Sequence, residues 1–296
     1  IVGLGGGSAM DAAKAMWIFY EHPELKTMES VLPPNPFPTL RKKARMCCIP
    51  STSGTASEVS RSIVISDNAT GLKHGLGNME MMPDIAICDP EVTASMPAKI
   101  TAETGMDALT HALEALASTR ANYVSDILAT QSAIDIMETL PIAYENGADM
   151  HAREIMLQAS MVAGMAFTNV SLGIVHSMAH PLGALYDTPH GVANAIILPT
   201  GMEYNAPATG EKYRDIAKAM GVEGTEKMTQ DEYRKAAIDA VKKLAADVGI
   251  PADLKDIVKS EDIPFLAQSA YDDACRPGNP RETSVEEITK LYESLI

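Results

Sequence analysis

The stretch that most constrains this chain is Val175–Gly191, VHSMAHPLGALYDTPHG, which holds three of the seven histidines. His176 and His180 are four residues apart, so on a helix their rings project from one face. His190 follows His176 by fourteen residues, which is about 21 Å on a straight helix at about 1.5 Å per residue. Ligands of one metal ion lie only about 2 Å from it. If His176 and His190 share a metal, the chain turns between them, and the intervening prolines and glycine are candidate positions.

A second stretch, GMDALTHALEAL at residues 105–116, carries Asp107 and His111 at the same helical spacing. Asp107, His111, His176 and His190 together would supply one carboxylate and three imidazoles, a set that suits Fe²⁺ or Zn²⁺ and contains no thiolate. An Asp-x-x-x-His pair alone is common on solvated helix faces. The histidine stretch alone equally fits a buried helix whose histidines are hydrogen-bonded. Together, the two stretches favour a metal site.

Composition excludes several classes of partner. The net charge of −15 argues against nucleic acid and against an anionic membrane surface, because both bind basic proteins. The hydrophobic content of 46% and charged content of 21% are those of a globular protein. The four cysteines have neither metal-ligand spacing nor the density of a disulfide scaffold. We therefore expect reduced thiols in a cytoplasmic protein, and the first residues do not have the pattern of a signal peptide.

Residues 155–186 contain no Asp, Glu, Lys or Arg, and the run is long enough to cross a bilayer. However, Gln158, Asn169 and His176 interrupt the apolar residues, and no positive cluster flanks the run. The run therefore predicts a helix buried on all sides within the protein rather than a membrane span.

Two loops near the start could bind a phosphate-bearing ligand. IVGLGGGSAMDAAK indicates a strand, a glycine turn and an amphipathic helix, with Ser8 as a good N-cap. The N–H groups and dipole of such a helix start favour a phosphate, although a glycine turn is often only a turn. The second loop, STSGTASE at residues 51–58, concentrates hydroxyl donors. A solvated Ser/Thr loop is the alternative interpretation.

Strand patterns alternate with turns up to Pro90, and helical patterns follow from Glu91. This change predicts an α/β domain over residues 1–90 and an all-helical domain over 91–296. A dinucleotide fold places an acid on a second strand about 20 residues after the glycines, but residues 30–38 are too proline-rich for a central strand. We expect a truncated Rossmann-like sheet: Ile1–Leu4 would be a central strand of the complete sheet, and the loss of its neighbouring strands would expose apolar surface and unpaired backbone groups. We also expect a longer native chain and weak dinucleotide binding by this fragment.

The motifs GGGSAMDAAK, STSGTASE, GMDALTHALEA and HSMAHPLGALYDTPHG, in this order, resemble the signatures of the iron-containing (group III) alcohol dehydrogenases. The similarity extends through AYDDACRPGNPR near the C-terminus. That stretch and MDAAKAMWIFYEHPE particularly resemble the alcohol dehydrogenase half of bifunctional aldehyde-alcohol dehydrogenases, and the related butanol and propanediol dehydrogenases. The resemblance implies a Rossmann-like NAD(P)-binding domain followed by an all-helical metal-binding domain, the dehydroquinate synthase-like fold.

The resemblance implies an enzyme that interconverts a small primary alcohol and its aldehyde by hydride transfer. Its cofactors would be NAD or NADP and Fe²⁺, with Zn²⁺ as the alternative metal, and it would be a homodimer or larger homo-oligomer. The same four metal ligands are implied, while His180 is assigned to the catalytic pocket. The implied cofactor contacts are Gly6, Gly7, Ser8, Asp11, Ser51, Thr52, Thr55, Ser60 and Lys73. Ala9 stands where the family commonly has proline.

Two other classes of function fit parts of the sequence. A metallohydrolase would use the metal to activate water, but no glutamate occupies a HExxH-type position and the two loops would be unexplained. A non-catalytic assembly module is compatible with a truncated cofactor domain. A change in nicotinamide absorbance that depends on an alcohol distinguishes the dehydrogenase from both.

Overall fold

The computed structural model describes residues 1–67 and 72–296, with side chains described outside residues 66–74. All of its strands lie in the first 86 residues. They are β1 (Val2–Gly5), β2 (Cys47–Pro50), β3 (Ser62–Asp67), β4 (Leu72–Gly77) and β5 (Ile85–Ala86). Strands β1, β2 and β5 form a parallel sheet in that order, while β3 and β4 form an antiparallel pair.

The glycine turn after β1 leads into helix α1 (Gly7–Glu21), which returns the chain to β2. Val2 pairs with Cys47 and Leu4 with Ile49, so this is a parallel β–α–β unit. Within the described residues, β1 pairs only with β2, so the other edge of β1 carries no strand. Its Val2 and Leu4 side chains are 63% and 58% exposed, in agreement with the predicted exposure of apolar surface.

Helices dominate the rest of the described chain, where no strand follows β5. They are α2 (Ala98–Ala117), α3 (Tyr123–Glu145), α4 (Met150–Val170), α5 (Ile174–Leu185), α6 (His190–Asn205), α7 (Lys212–Ala219), α8 (Gln230–Asp247), α9 (Ile263–Tyr271) and α10 (Val285–Glu293). One apolar core extends from Ala102 to Leu295, and a smaller core joins α1 to the strands. The division into domains of residues 1–90 and 91–296 stays a prediction.

The uncharged run of residues 155–186 forms two helices, α4 and α5, which meet at 105°. Our expectation of one helix was therefore wrong, although most of the run is buried as predicted. At the break, Ser171 has a φ of +71°, outside the range of a right-handed helix. A Cβ on Gly173 would lie 2.9 Å from Asn279 Oδ1, so glycine permits close packing of this turn against Asn279. No single described helix has the length and hydropathy to span a membrane, whereas this bent pair meets those two criteria together.

The turn between His176 and His190 occupies residues 186–189, between α5 and α6. Pro181 lies inside α5, so it does not mark the turn. Immediately after the turn, a Cβ on Gly191 would lie only 2.1 Å from the carbonyl oxygen of Glu103. Glycine at this position therefore permits α6 to approach α2 closely, which brings His190 toward the carboxylate on α2.

Candidate active site

Helices α2, α5 and α6 bring the four predicted metal ligands into one cluster. Potential ligand atoms of Asp107, His111 and His176 all lie within 4.8 Å of one another, and all three residues are buried. His176 Nε2 is 3.8 Å from Asp107 Oδ1, and His190 Nε2 is 3.6 Å from the same oxygen. The His190 side chain is 42% exposed, so the cluster opens to solvent on the His190 side.

The contacts of the Asn194 amide show whether the predicted ligands point their acceptor atoms at one place, as a cation site requires. Asn194 Nδ2 donates to Asp107 Oδ1 at 2.7 Å and lies 3.1 Å from both His176 Nε2 and His190 Nε2. Acceptor atoms of three predicted ligands thus converge on one donor. Among the described residues, His111 Nδ1 is buried without a hydrogen-bond partner. One carboxylate and converging imidazole nitrogens form a donor set that fits Fe²⁺ or Zn²⁺.

The protonation states of the cluster also suit a cation. Burial, together with the neighbouring His111 and His190, lowers the pKa of His176 well below 6.5. Burial acts to raise the pKa of Asp107, but the charges of the three surrounding histidines outweigh it and lower that pKa below 3.8. At neutral pH the cluster therefore offers an ionised carboxylate and a neutral His176, the forms that coordinate metals.

A carboxylate that the sequence analysis did not identify contacts this cluster. Glu114, only 6% exposed, lies on α2 with Oε2 at 2.5 Å from His176 Nδ1. Burial raises the pKa of Glu114 to about 7. Asp107, His111 and Glu114 are spaced i, i+4, i+7 on one helix, and this shared face was the available signal.

His180 lies at the edge of the cluster, with a different partner. Its Nδ1 is 2.8 Å from Asp273 Oδ2, and its side chain is 33% exposed. The ring stacks on that of His190, with centroids 5.4 Å apart. Burial acts to lower the pKa of His180, but the hydrogen bond to Asp273 and its charge raise it above 6.5. His180, Asp273 and Cys275 form a second group of potential ligand atoms. The geometry is therefore compatible with His180 as a metal ligand and with His180 as a catalytic residue.

The glycine loop and the hydroxyl loop pack against each other. Ser51 N–H donates to the Gly5 carbonyl oxygen at 2.8 Å. A Cβ on Gly6 would lie 3.5 Å from Thr52 Cγ2, and one on Gly7 would lie 2.9 Å from Thr55 Cγ2. The N-cap of α1 is Gly6, which has no side-chain cap. The prediction of Ser8 as N-cap was therefore wrong, because the helix already begins at Gly7 and places Ser8 in its first turn.

Not every predicted cofactor contact faces open space. Asp11 accepts hydrogen bonds from Ser57 Oγ at 2.6 Å and from Val64 N–H at 2.9 Å. Ser60 is buried, and its Oγ lies 3.4 Å from the Ser62 carbonyl oxygen. The side chain of Lys73 lies outside the described residues. Asp11 and Ser60 thus join the loop to α1 and β3, while their predicted contact with a cofactor stays a prediction.

The hydroxyl loop also lies against the helix that carries the metal cluster. A Cβ on Gly54 would be 2.6 Å from Thr104 Cβ, and Thr104 precedes Asp107 by less than one turn of α2. Within the described residues, Thr52 Oγ1 is buried without a hydrogen-bond partner. The cofactor loops and the metal cluster are therefore neighbours in this fold.

Comparisons with known proteins agree with this arrangement. Residues 1–90 match the family described as iron-containing alcohol dehydrogenase. Residues 101–296 match the C-terminal region of the Fe-containing alcohol dehydrogenase family. The NADPH-dependent butanol dehydrogenase of Clostridium saccharobutylicum is 45% identical over 298 residues, which are 99% of this chain and 75% of that protein. The lactaldehyde reductase of Escherichia coli K12 is also 45% identical, over 99% of this chain and 76% of that protein.

Solved structures agree on the fold. The crystal structure of a 1,3-propanediol oxidoreductase superposes with a TM-score of 0.94 at 40% identity, covering 100% of this chain and 76% of that one. The predicted fold class, a Rossmann-like α/β part followed by a helical part, is confirmed. The chain belongs to the iron-containing alcohol dehydrogenase family, and it is an oxidoreductase that interconverts alcohols and aldehydes with iron and NAD(P) as cofactors.

Proposed function

We propose that this chain binds one divalent metal, Fe²⁺ in preference to Zn²⁺, through Asp107, His111, His176 and His190. The observation that carries this proposal is the convergence of three of these ligands on the Asn194 amide. When bound, the metal polarises the oxygen of the alcohol or aldehyde, and the nicotinamide accepts or donates the hydride. The four residues supply one negative charge, which leaves the site with a net positive charge that attracts that oxygen.

His180 is proposed to move the proton between substrate and solvent. Its ring stacks on that of His190, at the open side of the cluster where a substrate would enter. Asp273 accepts from Nδ1 and so holds the ring in one orientation. A partly exposed imidazole beside the reacting group is suited to general acid–base catalysis.

The cofactor is proposed to lie between the two small-residue loops. Gly6, Gly7 and Ser8 would present the N–H groups of the α1 start to the phosphates. Ser51, Thr52 and Thr55 would supply hydroxyl donors, with further contacts from Asp11, Ser60 and Lys73. The contact of Gly54 with Thr104 on α2 supports placing the nicotinamide beside the metal cluster.

We propose a small primary alcohol and its aldehyde as the substrates. Two relatives bear the names butanol dehydrogenase and lactaldehyde reductase, which both refer to small molecules of these classes. We also propose a homodimer or larger homo-oligomer located in the cytoplasm. The free state of Cys47, Cys48, Cys88 and Cys275 supports a reducing compartment.

Removal of the metal tests the proposed function directly. Protein stripped with a chelator should reduce no aldehyde, and Fe²⁺ restored under anaerobic conditions should return the oxidation of NADH or NADPH, followed by absorbance. The same protein supplied with Zn²⁺ tests the alternative metal. Equal rates before and after metal removal would refute the metal's role, and ester or amide hydrolysis without nicotinamide would favour a metallohydrolase.

The variant Thr52→Trp should weaken the binding of NAD(P)H at least about tenfold. An indole at this position would fill the space beside Gly6, where the phosphates are proposed to lie. Loss of one hydrogen bond to a charged group removes about 1.5–3 kcal/mol, and about 1.4 kcal/mol changes affinity tenfold. Calorimetric titration with NADH and NADPH measures the effect.

The matched control for this variant is Met16→Trp, which adds the same ring at a 66% exposed position of α1. It should bind both nucleotides as the parent chain does. If Thr52→Trp also binds them with unchanged affinity, the cofactor does not lie between these loops.

A further inference from the structure

Glu114 divides its two carboxylate oxygens between two partners. Oε2 lies 2.5 Å from His176 Nδ1. Oε1 accepts a hydrogen bond from the Val175 backbone N–H at 2.8 Å. The residue is only 6% exposed, so water does not compete for either oxygen. Glu114 therefore contacts both the ring of His176 and the backbone immediately before it.

These contacts determine which ring nitrogen of His176 carries the proton. A neutral imidazole has one N–H donor and one acceptor nitrogen, whereas an ionised carboxylate only accepts. When Glu114 is ionised, Nδ1 beside it must therefore be the donor, and Nε2 keeps its lone pair. Nε2 is the nitrogen that faces the cluster, 3.1 Å from Asn194 Nδ2 and 3.8 Å from Asp107 Oδ1.

Contacts at the start of α5 hold Glu114 in place. Val175 lies in the first turn of α5. The N–H groups of a first turn have no acceptor within the helix and therefore favour a carboxylate. A Cβ on Gly173 would lie 3.0 Å from Glu114 Oε1, so glycine leaves room for this approach. Asn279 Oδ1 accepts from the neighbouring Ile174 N–H at 3.1 Å, which fixes the same turn from the other side.

We infer that Glu114 is a positioning residue: it fixes the tautomer and orientation of His176 so that Nε2 presents its lone pair to the metal. This inference rests on the proposed function, because it takes His176 as a ligand. The carboxylate–histidine–metal arrangement raises the basicity of the ligand nitrogen, and loss of such a partner reduces metal affinity about 10–100-fold. Glu114 donates no atom to the metal itself.

Glutamine at this position tests the effect of Glu114 on the His176 tautomer, because the Val175 N–H still needs an acceptor. In the variant Glu114→Gln, the side-chain carbonyl oxygen must face Val175, so the NH₂ group faces His176 Nδ1. Nδ1 must then accept, and the proton moves to Nε2, the nitrogen that should bind the metal. The variant therefore keeps the size of the side chain but reverses the tautomer.

The experiment titrates metal-free protein with Co²⁺ and compares variants. Glu114→Gln should raise the Co²⁺ dissociation constant about 10–100-fold. One control should leave it unchanged: Glu103→Gln, which neutralises a buried acid on the same helix. Nitrogen-15 NMR of the imidazoles, with His176 assigned by its absence in His176→Gln, should show the Nδ1–H tautomer in the parent chain.

The outcomes separate this inference from the proposed function. If His176→Gln binds Co²⁺ as tightly as the parent chain, His176 is not a ligand and the proposed metal site fails. If His176→Gln loses the metal while Glu114→Gln keeps both the parent affinity and the Nδ1–H tautomer, Glu114 has no positioning role. An Nε2–H tautomer in the metal-free parent chain overturns the inference even if Glu114→Gln does not fold.

Discussion

Replacing Asp107 with asparagine is expected to remove the metal and the dehydrogenase activity together. Asp107 is 2% exposed and supplies the only negative charge among the four proposed ligands. Asparagine keeps the size and the hydrogen bond to Asn194 but loses that charge. A bound metal contributes several kcal/mol to transition-state stabilisation, so kcat/KM should fall about 10³-fold or more. Metal content measured on the same sample should fall with it.

The matched control for Asp107→Asn is Glu103→Gln, which neutralises a buried acid one turn earlier on α2. Among the described residues, Glu103 forms an ion pair with Lys99, at 3.9 Å, and not with a proposed ligand. The control should keep both metal and activity. If Asp107→Asn retains one metal per chain and the parent kcat/KM, the carboxylate is not a ligand and the assigned site is wrong.

The features that sequence predicted well are those that depend on local periodicity. Asp107 and His111 project from one face of α2 because their spacing is close to one helical turn. The same spacing placed His176 and His180 on α5. The requirement for a turn before His190 followed from helix length alone, and the structure places that turn at residues 186–189. Each of these predictions depended only on the spacing of residues that are close together in the sequence.

The features that sequence reasoning missed depend on contacts between distant segments. Glu114 lies within an apolar helical run, and only the packing of α5 against α2 gives its carboxylate a partner. Asp273 is far from His180 in sequence, so its hydrogen bond follows from the tertiary fold. The turn before α5 packs closely against Asn279, which lies more than 100 residues later in the chain. The hydropathy pattern of the sequence does not predict these contacts between distant residues.

The prediction from local sequence was also wrong where tertiary packing stabilises a helix through a proline. Pro181 was a candidate position for the turn because proline has no backbone N–H to donate. It nevertheless lies inside α5, which is buried and packs against α6 and α9. Apolar contacts along α5 thus compensate for one missing helical hydrogen bond, and the chain turns only where α5 ends at Leu185.

The variant His180→Gln should lose most of its turnover while it keeps its metal. General acid–base catalysis by one side chain contributes about 10²–10⁴-fold, so we expect kcat to fall about 10²-fold or more. Glutamine can hydrogen-bond to Asp273 but cannot exchange a proton near neutral pH. Metal content and kcat, measured on the same preparation, separate a catalytic role from a ligand role. His151→Gln, the same change at an exposed histidine of α4, is the control.

The two measurements have distinct consequences. If His180→Gln loses its metal, His180 is a ligand, and the group that it forms with Asp273 and Cys275 becomes the competing metal site. If the variant keeps both metal and kcat, the proton reaches solvent by a route that does not use His180. Loss of kcat with full metal content would place proton transfer on the imidazole that stacks on His190 at the open side of the cluster. The metal would then remain with the four ligands on α2, α5 and α6.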